Sequence, residues 1–369
     1  MRLERLPLRL VPGPAAGRPA GHRLAEPRRG LHRHRRVAAH DAGGHRPVPP
    51  TRRDPHGTEP VLTFAFSATR APSALLLIDP EEVPEDLRPR LESLVRAVRH
   101  TDGLPDRADG VEILVTANRD LSGPVLEKLP DLRLIVTTGT AYDYVDLAHC
   151  EANGIAVCNT PGYTGSSVAE HAIALYLAAN RHIVALDREL RTGADTGGHL
   201  ALELEGRTAG VIGAGDIGAR ILAIARGFGM RARFTNRSPR TVRGAEQVGL
   251  EELLRTSDVV FLCLPLTQES HHLLNRDTFA LMKPYAFVVN ISSDELIDPD
   301  ALAEALRDGT VAGAGLDVIG SAAPYTGLPN TVLTPARGWY TAEGVHRRAA
   351  TWIDTIASAL AGRPAHRIV

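Results

Sequence analysis

The chain has 369 residues, 43% of them hydrophobic, and a formal net charge of −1, so it is long enough to bury two apolar cores. No apolar run approaches the roughly 18–20 residues of a membrane span, so no membrane association is expected. Cys150, Cys158 and Cys263 are too few and too scattered for a disulfide framework, and no Cys-x-x-Cys or His/Cys cluster suggests a metal. The setting these features predict is reducing and cytoplasmic.

The near-zero charge hides an uneven distribution. Residues 1–60 carry 13 Arg against 5 acidic residues, a net of +8 that leaves −9 for residues 61–369. This leader is rich in Pro and His and lacks Lys, Tyr, Trp and Phe. It cannot offset its own ordering entropy, so residues 1–70 are expected to form a disordered, basic, Pro-rich extension. An Arg-rich, acid-poor leader also suits a presequence or an arm that touches nucleic acid. Pro recurs too often for an amphipathic presequence helix. A non-functional extension is the reading preferred, and no nucleic-acid partner is expected.

Folded sequence is expected to begin with an apolar strand at Ala74–Asp79. A helix follows over Glu82–Val95, then a strand at Glu112–Thr116, a short helix at Ser122–Leu129 and a strand at Leu132–Thr137. Val145–Ala152 reads as a helix and Ile155–Asn159 as a strand. This alternation predicts a small doubly wound domain with a parallel sheet. Ligands of such sheets meet the loops after the strands' carboxyl ends, here 117–119, 138–142 and 160–165. Arg119 stands in the first of them and reads as a surface side chain. Ser167-Val-Ala-Glu170 has the pattern of a capping box and predicts one long helix to about Leu190. His171 beside that cap, like His271 and His272 further on, reads as a helix-face or surface histidine. The Gly-rich stretch Thr192–Gly198 links to the next unit.

That unit is the most informative stretch of the chain. Thr208-Ala-Gly-Val-Ile212 is small, β-branched and apolar, as a buried parallel strand should be. Gly213, Gly215 and Gly218 then form G-x-G-x-x-G, a helix is predicted over Asp216–Phe228, and a second strand over Arg231–Thr235. Gly213 permits the tight turn, Gly215 lets backbone approach a pyrophosphate, and Gly218 lets the helix pack close to the strand. The N–H groups of Asp216 and Ile217 at the helix start face the phosphates. In this strand–helix–strand context the fingerprint marks a dinucleotide site. Sites for NAD usually end the second strand with a carboxylate, whereas a 2′-phosphate is met by Arg. Here the strand runs into Asn236-Arg237-Ser238-Pro-Arg240, with two guanidinium groups and no carboxylate. NADP(H) is therefore favoured over NAD(H).

Further strands are expected at Val259–Leu264, Phe287–Ile291, Val311–Val318 and Thr331–Leu333, with helical pattern at Leu302–Leu306 and from Thr341 to about Ala361. The first domain lacks a closing helix, so the last helix is expected to return to it. The predicted fold is α/β, with two doubly wound parallel-sheet domains and a cleft between them. A flavodoxin-like substrate domain (71–170 with 341–369) adjoins a Rossmann dinucleotide-binding domain (171–340).

With these segments in order, the chain resembles the D-isomer-specific 2-hydroxyacid dehydrogenases, the family of formate, glycerate and hydroxypyruvate enzymes. The resemblance runs from about residue 73 to the end. It includes Gly139–Asp146, Asn159-Thr-Pro161, Ser167–Ala172, the glycine fingerprint, Cys263–Thr267, Met282-Lys-Pro284, Asn290-Ile-Ser292, Gly313–Val318 and Leu333-Thr-Pro335. It implies the same fold, a nicotinamide cofactor, a small-molecule substrate and a homodimer. It also implies that Asp317 holds the nicotinamide carboxamide, with Pro265 and Asn290 along the cofactor.

The catalytic positions depart from the family pattern. Family members follow Asn-Ile-Ser with an Arg-Gly that binds the substrate; Ser293-Asp294 stand there. Their Glu falls at Ala322 and their acid/base His at Ala336. Hydride transfer to a ketone creates an alkoxide that needs a proton donor, and losing such a group costs about 10²–10⁴ in rate. Losing the Arg removes a charge-assisted clamp. Two readings follow. In one, the protein is an oxidoreductase-like enzyme of altered chemistry, acting on a bulky or uncharged substrate by reduction, cyclisation or isomerisation. Tyr142, Asp294, Arg337 and Tyr340, with Trp339, are its candidate pocket residues. In the other, it is an inactive NADP(H)-binding sensor or scaffold.

Overall fold

A computed structural model describes residues 66, 71–117, 119–194, 198–317 and 320–369. The expected extension over 1–70 therefore lies outside the described residues, apart from Phe66.

The first sheet comprises β1 (Ser73–Leu77), β2 (Ala97–His100), β3 (Ile113–Thr116), β4 (Leu134–Thr137) and β5 (Ala156–Cys158). All pairs are parallel in the order β2-β1-β3-β4-β5, a doubly wound arrangement. Helices α1 (Arg88–Leu94), α2 (Gly123–Leu126) and α3 (Leu147–Ala152) are its short connections. The helix expected over Glu82–Val95 is shorter than predicted. Pro84 breaks the run, leaving a 3₁₀ turn at Pro80–Glu82 and a helix only from Arg88, with Pro89 in its first turn where proline is tolerated. The edge strand β2 escapes the sequence pattern because it is mostly solvent-facing and polar.

The second sheet has seven parallel strands: β6 (Thr208–Ile212), β7 (Arg231–Thr235), β8 (Glu246–Gln247), β9 (Val259–Leu262), β10 (Phe287–Asn290), β11 (Gly313–Leu316) and β12 (Thr331–Leu333). Their order is β12-β11-β10-β9-β6-β7-β8, so the chain reverses direction across the sheet between β6 and β9. That reversal opens the crevice in which such sheets bind ligands. Two α/β domains with parallel sheets are thus present, as the alternation of elements predicts.

One face of the second sheet is covered by α4 (Gly165–Asn180) and α6 (Asp216–Gly227), and the other by α7 (Leu250–Thr256), α8 (Arg276–Phe279) and α9 (Pro299–Asp308). The single long helix expected from Ser167 to Leu190 is two helices. The chain turns at Arg181 and left-handed His182 (φ 52°), and α5 (Ile183–Thr192) follows. Asn180, which is buried, holds the break by donating to Leu202 O at 2.8 Å and accepting from Leu202 N at 3.2 Å. Ser167 is not the cap; it lies inside α4 and donates to Thr164 O at 3.1 Å.

The last helix, α10 (Ala342–Leu360), starts at Thr341, whose hydroxyl accepts from Gly344 N at 2.9 Å. Ala349, Trp352, Ile353, Ile356 and Ala359 repeat at helical spacing and bury against β1, β3, β4 and β5. Burying each large side chain of this stripe contributes about 1.5–3 kcal/mol. At its start Arg348, also buried, pairs with Glu82 and stacks 4.2 Å above the Trp339 ring. Arg347 donates to Tyr163 O at 3.1 Å. These contacts join the segment after β12 to the first sheet.

Candidate active site

The loop after β6 is built by close packing. Gly213 is left-handed (φ 92°), and a Cβ there would lie 2.5 Å from Cys263 O. A Cβ at Gly218 would meet Gly213 O, and Val211 Cγ1 at 2.8 Å. No side chain fits either place, so the loop and α6 sit directly against β6 and β9. Gly215 differs. Nothing lies within 4 Å of a Cβ built on it, so its face is open. No side chain caps the first turn of α6, which begins at Asp216. Open backbone over a helix start with free N–H groups is the chemistry a pyrophosphate requires. Asp216 itself pairs with Arg220 at 3.1 Å on the exposed side of the helix. Ile217 packs against the core beneath.

Asn236, just beyond β7, accepts from Ala214 N at 2.7 Å and so ties the glycine loop to the end of the second strand. Gln247 shapes the following turn: it accepts from Arg240 N at 2.8 Å and donates to Ser238 O at 3.3 Å. Arg237, Ser238 and Arg240 are exposed there. The guanidinium groups of both arginines make no hydrogen bond or ion pair among the described residues. The residues the sequence proposes for the cofactor lie at the carboxyl ends of β6, β7, β9 and β10, with Pro265 exposed after β9 and Asn290 buried at the end of β10.

Asn290 is committed to its own loop. It accepts from Ser292 N at 3.0 Å and donates to Ser293 O at 2.8 Å, which fixes the backbone that presents Ser293 and Asp294. Asp294 accepts a hydrogen bond from Gly320 N and joins this loop to the segment after β11. Ala322 follows there, exposed, before a 3₁₀ turn at Ala323–Tyr325. Burial raises the Asp294 carboxyl above its ordinary value; the Gly320 bond opposes this and the charge of Glu295 adds to it.

Asp317 is the best-satisfied carboxylate of the region. Oδ1 accepts from His171 Nε2 at 3.1 Å, Thr334 Oγ1 at 2.6 Å and Arg337 N at 2.8 Å; Oδ2 accepts from Gly338 N at 2.8 Å. Burial alone would raise its pKa. The hydrogen bonds from His171, Thr334 and the two backbone N–H groups outweigh that, and the carboxyl sits below its ordinary value. Oδ2 keeps capacity for one further donor. His171 Nε2 also lies 3.0 Å from Thr334 Oγ1, so the three side chains form one cluster.

His171 is therefore not a passive helix-face residue. Its partner lies 146 residues away in sequence, so no local pattern announces it. The polar Thr334 at the end of a strand is the one hint. Ala336 adopts a left-handed backbone (φ 51°), uncommon for alanine, and its N–H donates to Asp317 O. Arg337 lies 5.0 Å over the Tyr340 ring, and Trp339 packs edge-on to Tyr163 at 6.3 Å. Tyr142 instead packs against the core of the first sheet. Arg119 donates to Asp102 O at 2.6 Å on the surface. No group of three or more His, Cys, Asp or Glu side chains among the described residues could hold a metal ion. No helix of the described residues is long and apolar enough to cross a membrane.

Residues 173–338 match the family model for the D-isomer specific 2-hydroxyacid dehydrogenase NAD-binding domain. The chain is 38% identical over 257 residues to a glyoxylate reductase of Pyrococcus furiosus, covering 65% of this chain and 76% of that relative. Its identity to the glyoxylate reductase of Pyrococcus horikoshii is 35% over 276 residues, or 70% of this chain and 78% of that one. Among solved structures, it is similar to an acyclic imino acid reductase in complex with NADPH and D-Arg. That match has TM-score 0.72 and 31% identity, covering 80% of this chain and 100% of that one. It is also similar to apo D-lactate dehydrogenase from Escherichia coli, with TM-score 0.73 and 30% identity over 80% and 99% of the two chains. The chain therefore belongs to the D-isomer-specific 2-hydroxyacid dehydrogenase family, as an NAD(P)-binding oxidoreductase with that family's two-domain fold.

Proposed function

We propose that the protein is an NADP(H)-dependent reductase whose acceptor is a C=N group rather than the C=O of a 2-ketoacid. The observation that supports this is the open backbone at Gly215 over the uncapped start of α6, taken with Ser293, Ala322 and Ala336 at the positions the resemblance assigns to the catalytic residues. NADPH held by the glycine loop, Asn236, Arg237, Ser238 and Arg240 would supply a hydride, which the acceptor carbon takes up together with one proton at its heteroatom. With a ketone, that proton must come from a group titrating near neutrality. Serine and alanine offer none. A protonated C=N group carries its proton already, so those three positions cease to be a defect. Asp294 repels a carboxylate and favours a cation. The similar imino acid reductase supports the same acceptor class.

The experiment is anaerobic. The full chain is loaded with NADPH, and absorbance is followed with cyclohexanone, with cyclohexanone plus methylamine, and with glyoxylate. The expected result is oxidation that appears with amine and rises with its concentration. Robust turnover of glyoxylate or hydroxypyruvate would overturn the reading. Tight NADPH binding with no oxidation by any acceptor would favour a non-catalytic sensor.

The cofactor preference has its own test. Each guanidinium paired with a 2′-phosphate contributes about 1.5–3 kcal/mol. Arg237→Ser with Arg240→Ser should therefore weaken NADPH binding by roughly 10²–10⁴-fold and leave NADH binding unchanged, measured by nicotinamide fluorescence. Equal loss for both cofactors would remove the NADP(H) preference.

The homodimer expected from the resemblance is supported by apolar side chains of α5 left in solvent: Ile183 is 55%, Val184 50% and Leu190 75% exposed. Sedimentation of the full chain should give a dimer, and Val184→Glu should shift it toward monomer.

A further inference from the structure

Resting on the reduction reading, we infer that a cavity beside Asp294 receives a positively charged nitrogen group, an alkylammonium or guanidinium, at one end of the substrate. The cavity measures about 220 Å³ and lies at the carboxyl ends of β10 and β11, between the loop carrying Asp294 and the segment Ser321–Tyr325. That is below the roughly 300–1,000 Å³ of a whole-ligand site, so it takes one end of a molecule.

Two polar atoms in it lack partners. Asp294 spends one oxygen on Gly320 N, and its Oδ1 accepts no hydrogen bond among the described residues. Tyr325 is only 6% exposed, lines the cavity, and its hydroxyl makes no hydrogen bond among the described residues. Of the other polar side chains in the lining, Asn290 holds its own loop and Ser321 accepts from Ala323 N at 3.2 Å. Ile297, Leu316 and Pro324 supply apolar wall for an alkyl stem.

The charges agree. Glu295 adds a second carboxylate to the lining, and His272 is its only basic side chain. Arg307 reaches Pro324 O at 3.4 Å but does not line the cavity. Burial pushes the Tyr325 hydroxyl up to about 12, with the negative charges of Asp294, Asp298 and Asp300 adding to the effect. A half-buried carboxylate without a counter-charge is costly, and a cationic nitrogen would donate to both free oxygens and neutralise it.

The test is calorimetric titration of the NADPH-loaded full chain at neutral pH with n-butylammonium, butylguanidinium, 1-butanol and butyrate. One cation should bind about 10-fold or more tightly than 1-butanol, with butyrate weakest. Asp294→Asn should abolish the preference. Tyr325→Phe keeps the ring's packing and should weaken the cation about 3–10-fold while leaving 1-butanol unchanged. Equal binding of butanol and cations, or a preference that survives Asp294→Asn, would overturn the assignment. Cation binding without imine turnover leaves the cavity assignment standing and removes the reduction reading. Imine turnover without cation preference does the reverse.

Discussion

The variant combining Ser293→Arg, Asp294→Gly, Ala322→Glu and Ala336→His should reduce glyoxylate or hydroxypyruvate with NADPH at least about 10²-fold faster than the parent chain, and up to about 10⁴-fold. The range follows from what the four changes add. Arg at 293 supplies a bidentate clamp for a carboxylate. Gly at 294 removes the repelling charge, and His at 336 with Glu at 322 forms an acid/base pair. The backbone accepts the last change readily. Ala336 is left-handed at φ 51°, and histidine is among the non-glycine residues enriched in that region.

Groups that act as a unit are not additive, so Ala336→His alone should give little. Steady-state NADPH oxidation reads the outcome. A parent chain that already reduces glyoxylate at the variant's rate would sink the reading that these positions set the acceptor class. A variant that binds NADPH normally yet gains nothing would show that other parts of the cleft exclude 2-ketoacids. The same variant should lose imine reduction that depends on Asp294, which links the gain and the loss to one edge of the sheet.

How much of this was legible in the sequence depended on how local the physics is. The β6–α6–β7 unit matches its expected bounds to within a residue, because it rests on backbone packing that only glycine permits. At Gly213 and Gly218 the next atoms are main-chain carbonyls, so the spacing leaves no alternative. The break at residues 181–182 was not legible. Apolar residues continue at helical spacing through Ile183 and Leu186, and the cause is Asn180 gripping Leu202 across 22 positions. The pattern Ser167-x-x-Glu170 imitates a capping box, but Ser167 is the third residue of a helix that already began at Gly165. The edge strands β2 and β8 carry little apolar signal because their side chains are largely solvated.

Legibility of the site divides the same way. The glycine loop and the turn at Asn236–Arg240 follow from neighbours in sequence. The partnership of His171 with Asp317 and Thr334, and the cavity under Asp294, depend on contacts between elements far apart in the chain. His171 read in isolation is an ordinary helix-face histidine. Beside a buried carboxylate it becomes part of the network that fixes Arg337 and Gly338.

That network makes Asp317→Asn the substitution with the largest expected effect on stability, about 2–4 kcal/mol. The shape is conserved, but the charge that receives four donors is lost. An amide at this position also points N–H groups at Thr334, His171 or the backbone N–H groups of Arg337 and Gly338. The melting temperature should fall by roughly 2–4 °C per kcal/mol for a domain of this size. The pH dependence has a definite sign. The Asp317 carboxyl lies below its ordinary value of 3.8 in the folded chain, so its contribution is fully present above that value and is lost as pH falls through the folded pKa. The gap between parent and variant should therefore be constant from neutral pH down to about pH 5 and narrow below pH 4. Other carboxylates also titrate there, but they titrate in both proteins and cancel in the difference. Thermal melts of the two proteins at neutral pH and near pH 3 measure it. A gap that is the same at both would mean Asp317 is held by shape rather than by charge. A narrowing gap, accompanied by weaker NADPH binding in the variant, would tie the free lone pair of Oδ2 to the cofactor as well as to the fold.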